Sequence, residues 1–288
     1  MPARSGLLVM ALMTAMVAAG CGGDESDGDG AAPSVGDPGP VHVHGLGINP
    51  ADGALFIATH TGLFRSPEGS HTAKRVGGRF QDTMGFTVVG PARFLGSGHP
   101  DGREGLPPFL GLIRSQNAGK SWKPVSLLGK QDFHVLEASG RVVYGYGADF
   151  ATREQALLAS ADGGRKWEKR KAPEPLTSLV IDPDDPRTLT ASGEHAVHRS
   201  EDGGRSWRLI AQQSGLIAHS GAALVLITAE GTVHEATKDG ASLHRIGHIG
   251  GQPAAFESTS QGLLVALHDG IVEQSTDGGR QWSVRSRP

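Results

Sequence analysis

Cysteine is almost absent from this chain, which contains a single one, Cys21, in 288 residues. One cysteine cannot form an intramolecular disulfide, so side-chain packing must stabilise the fold. An excess of basic residues is also lacking, since the formal net charge is −3 at pH 7. Nucleic-acid-binding proteins usually carry a basic patch or stripe, and we therefore expect no nucleic-acid partner.

Long apolar segments are scarce too. One apolar run, residues 7–19, follows a basic start and leads to Ala18-Ala19-Gly20-Cys21. It is shorter than the about 20 residues that cross a bilayer, but a short apolar core before small residues is typical of an export signal. Residues 21–40 are rich in Gly, Asp, Ser and Pro. This composition buries too little apolar surface to fold and predicts a flexible acidic tether.

The small residues before Cys21 resemble the lipobox of bacterial lipoproteins. The resemblance implies that residues 1–20 are a signal peptide and that Cys21 carries a lipid. That lipid would anchor the protein to the outer side of the bacterial cell membrane. The alternative is an ordinary secretory signal with a cysteine nearby, and in both cases we expect an exported protein.

Tryptophan occurs only at the end of one eight-residue phrase, Ser-x-(Asp/Asn)-x-Gly-x-x-Trp. The phrase occupies four segments: Ser115–Trp122, Ser160–Trp167, Ser200–Trp207 and Ser275–Trp282. Two decayed versions begin near Pro67 and Thr237. A phrase that recurs at roughly 40-residue spacing marks a repeat architecture.

Short Val-, Ile-, Leu- and Thr-rich runs, separated by turn residues, precede each phrase, as in LTSLVID, TLTAS and HAVHRS before Ser200–Trp207. Such runs are typical of strands. Four antiparallel strands repeated around an axis form a β-propeller. The six units predict an all-β, six-bladed β-propeller over residues 41–288, with seven blades as the alternative.

The tryptophan phrase resembles the Asp-box (BNR) repeat of sialidases, related glycosidases and many non-enzymatic propellers. Its Asp or Asn can accept backbone N–H bonds in a tight turn, its glycine tolerates positive φ, and its tryptophan can wedge between blades. The resemblance implies that these turns lie away from the ligand-binding face. We therefore interpret as structural Ser115, Asn117, Trp122, Ser160, Asp162, Trp167, Ser200, Asp202, Trp207, Ser275, Asp277 and Trp282.

Chemistry is expected on the face where the repeats differ. In a propeller the innermost strands start at the ligand-binding face, and residues i and i+2 of a strand point to the same side. The first three innermost strands start with His42-Val-His44, Asp82-Thr-Met84 and Asp132-Phe-His134. The loops between second and third strands reach the same face and add His60, His99, Asp101, Asp149, Glu194, Glu230 and His268.

Clustered imidazoles and carboxylates suit a divalent metal such as zinc, copper or nickel, and they equally suit acid–base catalysis. We expect His42, His44 and His134 to be metal ligands. The expected ligand-binding residues are His60, His99, Asp101, Asp149 and His268. Asp82, Asp132, Glu194 and Glu230 are the candidate catalytic acids and bases. Histidines outside this register, such as His195 and His219, are predicted to lie on the surface or between blades.

The sequence disfavours a conventional sialidase, which uses an arginine triad and a tyrosine nucleophile. Arg65 recurs at the same position in other repeats, and the only tyrosines, Tyr144 and Tyr146, share one strand of the third blade. Three hypotheses stay open. The first is a lipid-anchored propeller that binds a glycan or protein ligand, with or without a metal ion. The others are a glycoside-hydrolase-like enzyme acting at the same mouth and an assembly scaffold without small-molecule chemistry.

Overall fold

The computed structural model describes residues 37–236 and 242–288. Within these ranges the chain forms 24 strands and no helix. Accordingly, no helix in the described ranges is long and apolar enough to cross a membrane. The predicted signal peptide, the acidic tether up to residue 36, Cys21 and the decayed phrase at Thr237 lie outside the described residues.

The strands form six sheets of four antiparallel strands, in chain order from the innermost to the outermost strand. Blades 1 to 3 contain β1 (Val43–Ile48), β2 (Leu55–Thr59), β3 (Gly62–Ser66), β4 (Lys74–Arg75), β5 (Asp82–Gly90), β6 (Arg93–His99), β7 (Leu112–Ser115), β8 (Lys123–Ser126), β9 (Gln131–Ser139), β10 (Val142–Asp149), β11 (Gln155–Ser160) and β12 (Glu168–Arg170). Blades 4 to 6 contain β13 (Leu176–Ile181), β14 (Leu189–Gly193), β15 (Val197–Ser200), β16 (Arg208–Ala211), β17 (Leu216–Ser220), β18 (Ala223–Ile227), β19 (Thr232–Ala236), β20 (Leu243–His248), β21 (Pro253–Thr259), β22 (Gly262–Leu267), β23 (Val272–Ser275) and β24 (Ser283–Ser286).

The six innermost strands surround a central channel. Each of β1, β5, β9, β13, β17 and β21 contacts the innermost strand of both neighbouring blades, and β21 contacts β1. The ring is therefore closed by six blades, which confirms the predicted six-bladed β-propeller. No seventh sheet occurs among residues 37–236 and 242–288.

The apolar core lies between the blades. Each of six hydrophobic clusters combines residues from two neighbouring blades. Phe56 of blade 1 and Phe94 of blade 2, for example, are fully buried against each other, with ring centroids 4.7 Å apart. Because every blade contributes to two clusters, burial of apolar surface stabilises the ring as a whole.

The tryptophan phrases form the turns between third and fourth strands. In blade 4, Ser200 Oγ accepts the N–H of Gly204 at 2.9 Å, and Asp202 Oδ1 accepts the N–H of Arg205 and of Ser206 at 2.9 Å each. Gly204 has a φ of 78°, which glycine adopts without steric cost. Trp207 packs into the cluster between blades 3 and 4. Because strands alternate in direction, these turns lie at the opposite end of the blades from the starts of the innermost strands.

Blade 6 is joined to blade 1 by a buried arginine of its outermost strand. The guanidinium of Arg285 donates to Ser66 Oγ at 3.2 Å and to the carbonyls of Ser70 and Pro67 at 2.7 and 3.2 Å. Thr72 and Arg287 add a parallel bridge beside it. Each sheet still draws its four strands from one continuous segment, so no strand is exchanged across the closure.

Candidate functional site at the channel mouth

A cluster of histidines and aspartates lies where the innermost strands of blades 1 to 3 begin. Its members are His42, His44 and His60 of blade 1, Asp82 and His99 of blade 2, and Asp132 and His134 of blade 3. A β-bulge falls at His44 in β1 and another at His134 in β9. Bulges commonly re-aim side chains at functional sites. His42 immediately precedes β1 with a φ of 52°, a value that few residues other than glycine adopt.

We call His44, His60 and Asp82 the first group. Nδ1 of His60 lies 2.8 Å from Oδ2 of Asp82, and Nε2 of His44 lies 3.9 Å from Oδ1 of the same carboxylate. One ligand atom from each of the three residues lies within 4.8 Å of the other two. The ring of His60 also contacts the ring of His42, with centroids 5.2 Å apart.

We call His99, Asp132 and His134 the second group. Oδ2 of Asp132 lies 3.0 Å from Nε2 of His134 and 3.4 Å from Nε2 of His99. The long loop between β6 and β7, residues 100–111, is an insertion that the other blades lack, and we call it the insertion of blade 2. Nδ1 of His99 is 2.9 Å from the carbonyl oxygen of Pro108 in this insertion. A carbonyl oxygen can only accept, so Nδ1 of His99 carries the proton of this hydrogen bond.

Burial controls the protonation of the cluster. It lowers the pKa of His44 from 6.5 to about 4, and the neighbouring His60 adds to this effect. Burial raises the pKa of Asp82, and the hydrogen bond to Asp132 raises the pKa of His134. At neutral pH the ring of His44 is therefore neutral and offers a nitrogen lone pair.

Three atoms of the cluster are buried without a hydrogen-bond partner. They are Nε2 of His44, Oδ1 of Asp82 and Oδ1 of Asp132. The Asp132 side chain is only 4% exposed. Buried polar atoms are nearly always paired in folded proteins, and an unpaired one is costly. A cation at the mouth would give these atoms a partner, because all of them can donate a lone pair.

The insertion of blade 2 forms a wall beside the second group. The ring of Phe109 contacts His99 on one side and Phe150 of blade 3 on the other, with centroid distances of 5.5 and 5.2 Å. Phe150 is 40% exposed, and Arg153 lies over its ring at 5.1 Å. The insertion therefore both holds His99 and presents an aromatic surface next to it.

Two of the predicted ligand-binding carboxylates make contacts within their own loops. Asp101 is buried, accepts the N–H of Phe80 at 2.9 Å and pairs with Arg103. The hydrogen bond from Arg103 holds the pKa of Asp101 well below its usual range. Asp149 accepts the N–H groups of Ala151 and Thr152. Both carboxylates therefore stabilise loop conformations.

The other three predicted residues are exposed on the remaining blades. Glu194, Glu230 and His268 belong to loops of blades 4, 5 and 6, and none makes a described contact with the cluster. Of the four candidate acids and bases, only Asp82 and Asp132 are brought together. The two carboxylates are close enough that the negative charge of Asp132 helps to raise the pKa of Asp82.

The arginine and the two tyrosines that were considered as sialidase catalytic residues make contacts elsewhere in the fold. Arg65 pairs with Asp52 at 2.8 Å, near the end of the blade that carries the turns. The hydroxyl of Tyr144 donates to the carbonyl of Pro186, and that of Tyr146 donates to Gln155. Neither tyrosine makes a described contact with the cluster at the mouth.

Two glutamates lower in the channel were not found from the sequence. Glu137 of β9 and Glu257 of β21 line a channel cavity of about 240 Å³, together with His219. Each glutamate lies three residues after the bulge of its strand, at His134 and Ala254. The pair becomes visible only when the strands are aligned by their bulges, which depend on strand pairing and not on the sequence of one strand. His219 of β17, expected on the surface or between blades, contributes to the lining of this cavity and lies near Asp182 and Arg199 of the neighbouring blade 4, in keeping with an interblade position.

Comparisons with known proteins support the fold. No family model and no curated protein matches the sequence. The structure is similar to a GH74 enzyme of Niastella koreensis, with a TM-score of 0.59, 14% identity, and coverage of 86% of this chain and 45% of that enzyme. It is also similar to a chain of the nidogen/laminin complex, with a TM-score of 0.63, 11% identity and coverage of 82% and 93%. A third similar structure is YCF48 from Cyanidioschyzon merolae, with a TM-score of 0.51, 12% identity, and coverage of 86% of this chain and 85% of YCF48.

These similarities establish the β-propeller architecture and nothing finer. The chain spans just under half the length of the GH74 enzyme. The similar structures include an enzyme, a chain of the nidogen/laminin complex and YCF48, so the shared fold does not select one activity. The function has to be argued from the side chains at the mouth.

Proposed function

We propose that the channel mouth binds a divalent transition-metal ion, with His44, His60 and Asp82 as protein ligands. The observation that carries the proposal is the convergence of three donor atoms within 4.8 Å of one another. Zinc binds histidine nitrogen and carboxylate oxygen at about 2.0–2.2 Å, so ligands of one ion lie within about 4 Å of each other. Side-chain adjustments of less than an ångström would close the site.

The donor chemistry indicates which metals to test. Two imidazoles and one carboxylate suit zinc, copper(II) and nickel(II) better than calcium or magnesium, which prefer oxygen ligands. Three protein ligands leave a coordination position open to water or an external ligand. The exposed face of His60, 44% of whose side chain is accessible, lies on the solvent side of the group. The proposed ion would therefore be reachable by a ligand from outside.

The contacts of the candidate catalytic carboxylates favour metal binding over carboxylate-based glycoside hydrolysis. Hydrolysis needs two carboxyl groups free to act as acid and as base or nucleophile. Asp82 lies against His60, and Asp132 lies against His134. Glu194 and Glu230 are exposed on other blades. Histidine–carboxylate pairs are the usual surroundings of a bound metal ion.

The experiment is a metal titration of the protein, purified in detergent and stripped of metal with a chelator. We expect zinc, copper or nickel to bind tightly by calorimetry and to raise the Tm. His44→Ala and Asp82→Asn should weaken binding by about 100-fold or more, because the loss of a ligand exceeds the 10–100-fold effect of outer-shell changes. His268→Ala, at the corresponding loop position of blade 6, is the control and should leave the affinity unchanged. Absence of binding, or equal binding by all variants, would refute the proposal.

We also propose that the protein is exported and held at the outer side of the cell membrane through lipidated Cys21. The apolar run of residues 7–19 and the small residues before Cys21 support this. The flexible composition of residues 21–40 would let the propeller stand off the membrane. Metabolic labelling tests it, since the unaltered protein should incorporate labelled fatty acid and the Cys21→Ser variant should not. Cell fractionation should then find the unaltered protein with the membrane.

A further inference from the structure

We propose that the outer edge of blade 1 is a docking groove for an extended acidic segment of a partner protein. The groove runs beside β4, the outermost strand of the blade. None of the residues that line it belongs to the metal site at the channel mouth, so its function does not depend on a bound metal ion.

Two neighbouring blades form the groove, which has a volume of about 610 Å³. Blade 1 contributes residues between Arg65 and Gly77, and blade 2 contributes Lys120 of its tryptophan phrase. The blades touch at this point, since a β-carbon at Gly77 would lie 3.5 Å from the carbonyl oxygen of Lys120. The groove is therefore a joint feature of both blades.

The lining of the groove carries positive charge and no carboxylate. Its cationic members are Arg65, Lys74, Arg75 and Lys120. The acidic partners of the two arginines, Asp52 and Asp37, lie outside the lining. Among residues 37–236 and 242–288, neither lysine has an ion-pair partner. The whole chain has a formal net charge of −3, so this groove is a local excess of positive charge that attracts acidic ligands.

The cations also repel each other. Arg65 of β3 and Lys74 of β4 are direct cross-strand neighbours. Like charges in this position destabilise the strand pair. Asp52 lies 2.8 Å from Arg65, which leaves the charge of Lys74 without compensation. A carboxylate bound beside Lys74 would remove this repulsion, so the groove favours an anionic ligand over a neutral one.

The edge of β4 favours a peptide over a small anion. β4 ends the strand order of its sheet, and no other strand of the described chain pairs with its outer side. The N–H of Val76 bonds to the carbonyl of Leu63 in β3, and alternate residues of a strand direct their backbone groups to opposite sides. The N–H and C=O of Arg75 therefore face outward. An extended peptide can add to such an edge through main-chain hydrogen bonds.

The rest of the lining suits a peptide as well. Pro67 and Val76 add apolar surface beside the charges, and lysine and arginine contribute their methylene stems. In an extended segment, residues i and i+2 point to the same side. A segment in which every second residue is acidic would therefore place all its carboxylates on the side of Arg65 and Lys74.

The test uses a fluorescent ten-residue peptide of alternating glutamate and valine and the protein purified in detergent, with a chelator present. Fluorescence anisotropy should show binding that weakens about tenfold between about 50 and 500 mM salt, because salt screens exposed charges. The double variant Lys74→Glu/Lys120→Glu should weaken binding by about 50-fold or more, since like charges then face each other. All these lysines are exposed, and circular dichroism checks the fold.

The matched control is Lys166→Glu/Lys169→Glu in blade 3. It changes the net charge equally and also combines one lysine of a tryptophan phrase with one of an outermost strand, both exposed. This control should bind the peptide within about twofold of the unaltered protein, because the substituted charges are two blades away from the groove. Equal weakening in both double variants would mean attraction by net charge alone and would overturn the groove.

Hydrogen exchange with mass spectrometry locates the peptide. Bound peptide should increase protection of residues 72–77 in the unaltered protein and not in Lys74→Glu/Lys120→Glu. A peptide with glutamine in place of glutamate should bind at least tenfold more weakly. Equal binding of the glutamine peptide, or tighter binding of inorganic polyphosphate than of the glutamate peptide, would refute an acidic peptide as the ligand. Absence of peptide binding by the unaltered protein would refute the groove and leave the metal site untouched.

Discussion

Glu137 and Glu257 place two carboxyl groups at the same depth of the channel. They belong to blades 3 and 6, which are opposite in a six-membered ring, and both line the cavity. Protein atoms surround each side chain, although part of its surface stays open to the channel. Burial raises the pKa of both groups, to about 8 for Glu257, and the charge of Glu257 raises the pKa of Glu137 further.

We predict that Glu257→Gln stabilises the protein in a pH-dependent way. The carboxyl of Glu257 ordinarily has a pKa of 4.5 and has one of about 8 in the folded protein. The folded state thus binds more protons than the unfolded state between these values, so stability is lost as pH rises from 4.5 to 8. Glutamine cannot ionise, and we expect a gain of about 1–2 kcal/mol at pH 9, or several degrees in Tm.

Thermal unfolding with a chelator present, at pH 4.5 and at pH 9, measures this effect. Glu194→Gln, an exposed glutamate of blade 4, is the control and should show no gain that depends on pH. A Glu257→Gln shift of equal size at both pH values would indicate a change in packing instead of the removal of a charge.

At the scale of single elements, the turn between third and fourth strands is the unit that repeats most closely. Ser200 is buried, and its Oγ accepts the N–H of Gly204 and donates to Asp202, both at 2.9 Å. Ser115, Ser160 and Ser275 make the corresponding bond to the glycine four residues later. The buried hydroxyl therefore stabilises the turn through its hydrogen bonds, and the tryptophan at the end of the phrase packs in the core between two blades.

We predict that Ser200→Ala lowers the stability by about 1–2 kcal/mol, because it leaves a buried N–H group without a partner. In a domain of this size the loss corresponds to about 2–8 °C in Tm. Differential scanning calorimetry measures it, with Ser260→Ala as the control at an exposed hairpin serine of blade 6. Metal affinity should be unchanged, since the turn is at the opposite end of the blade, and a weakened affinity would contradict this separation.

The sequence predicts the strands and turns well because the two signals that mark them, turn residues and the tryptophan phrase, are local in the chain. Turn residues and the tryptophan phrase determine the strands, the blade count and the face on which the blades differ. The bulges at His44 and His134 are harder to predict, since they depend on pairing with the next strand. The i, i+2 rule matches the contact of Asp132 with His134. It does not predict that Asp82 contacts His60 of another blade, because the angle between blades is not encoded in one strand.

At the scale of the whole molecule, ring closure depends on contacts between blades 1 and 6. Arg285 is 9% exposed and makes three hydrogen bonds to the turn of blade 1. Burial lowers the pKa of Arg285, although arginine stays charged at any physiological pH. The apolar cluster between the same blades, which includes Leu55 and Leu264, supplies the remaining adhesion.

We predict that Arg285→Ala lowers the stability by about 2–4 kcal/mol, since charged hydrogen bonds are lost and buried carbonyls are left unpaired. Arg287→Ala, an exposed arginine two residues later, should have little effect. Hydrogen exchange with mass spectrometry locates the change. Protection should fall first in β1–β4 and β21–β24, and a uniform loss across all blades would argue against a specific role in closure.

In the contacts His60–Asp82 and His99–Asp132 the two residues belong to neighbouring blades. This has a mechanical consequence. Their donor distances therefore depend on the angle between adjacent blades. A small tilt of one blade, caused for example by a ligand on the rim, would lengthen the His60–Asp82 pair and change the affinity of the proposed site for an ion. Conversely, an ion bound by His44, His60 and Asp82 would tie blade 1 to blade 2 and leave the other blades more compliant. The symmetric ring would then respond to force asymmetrically.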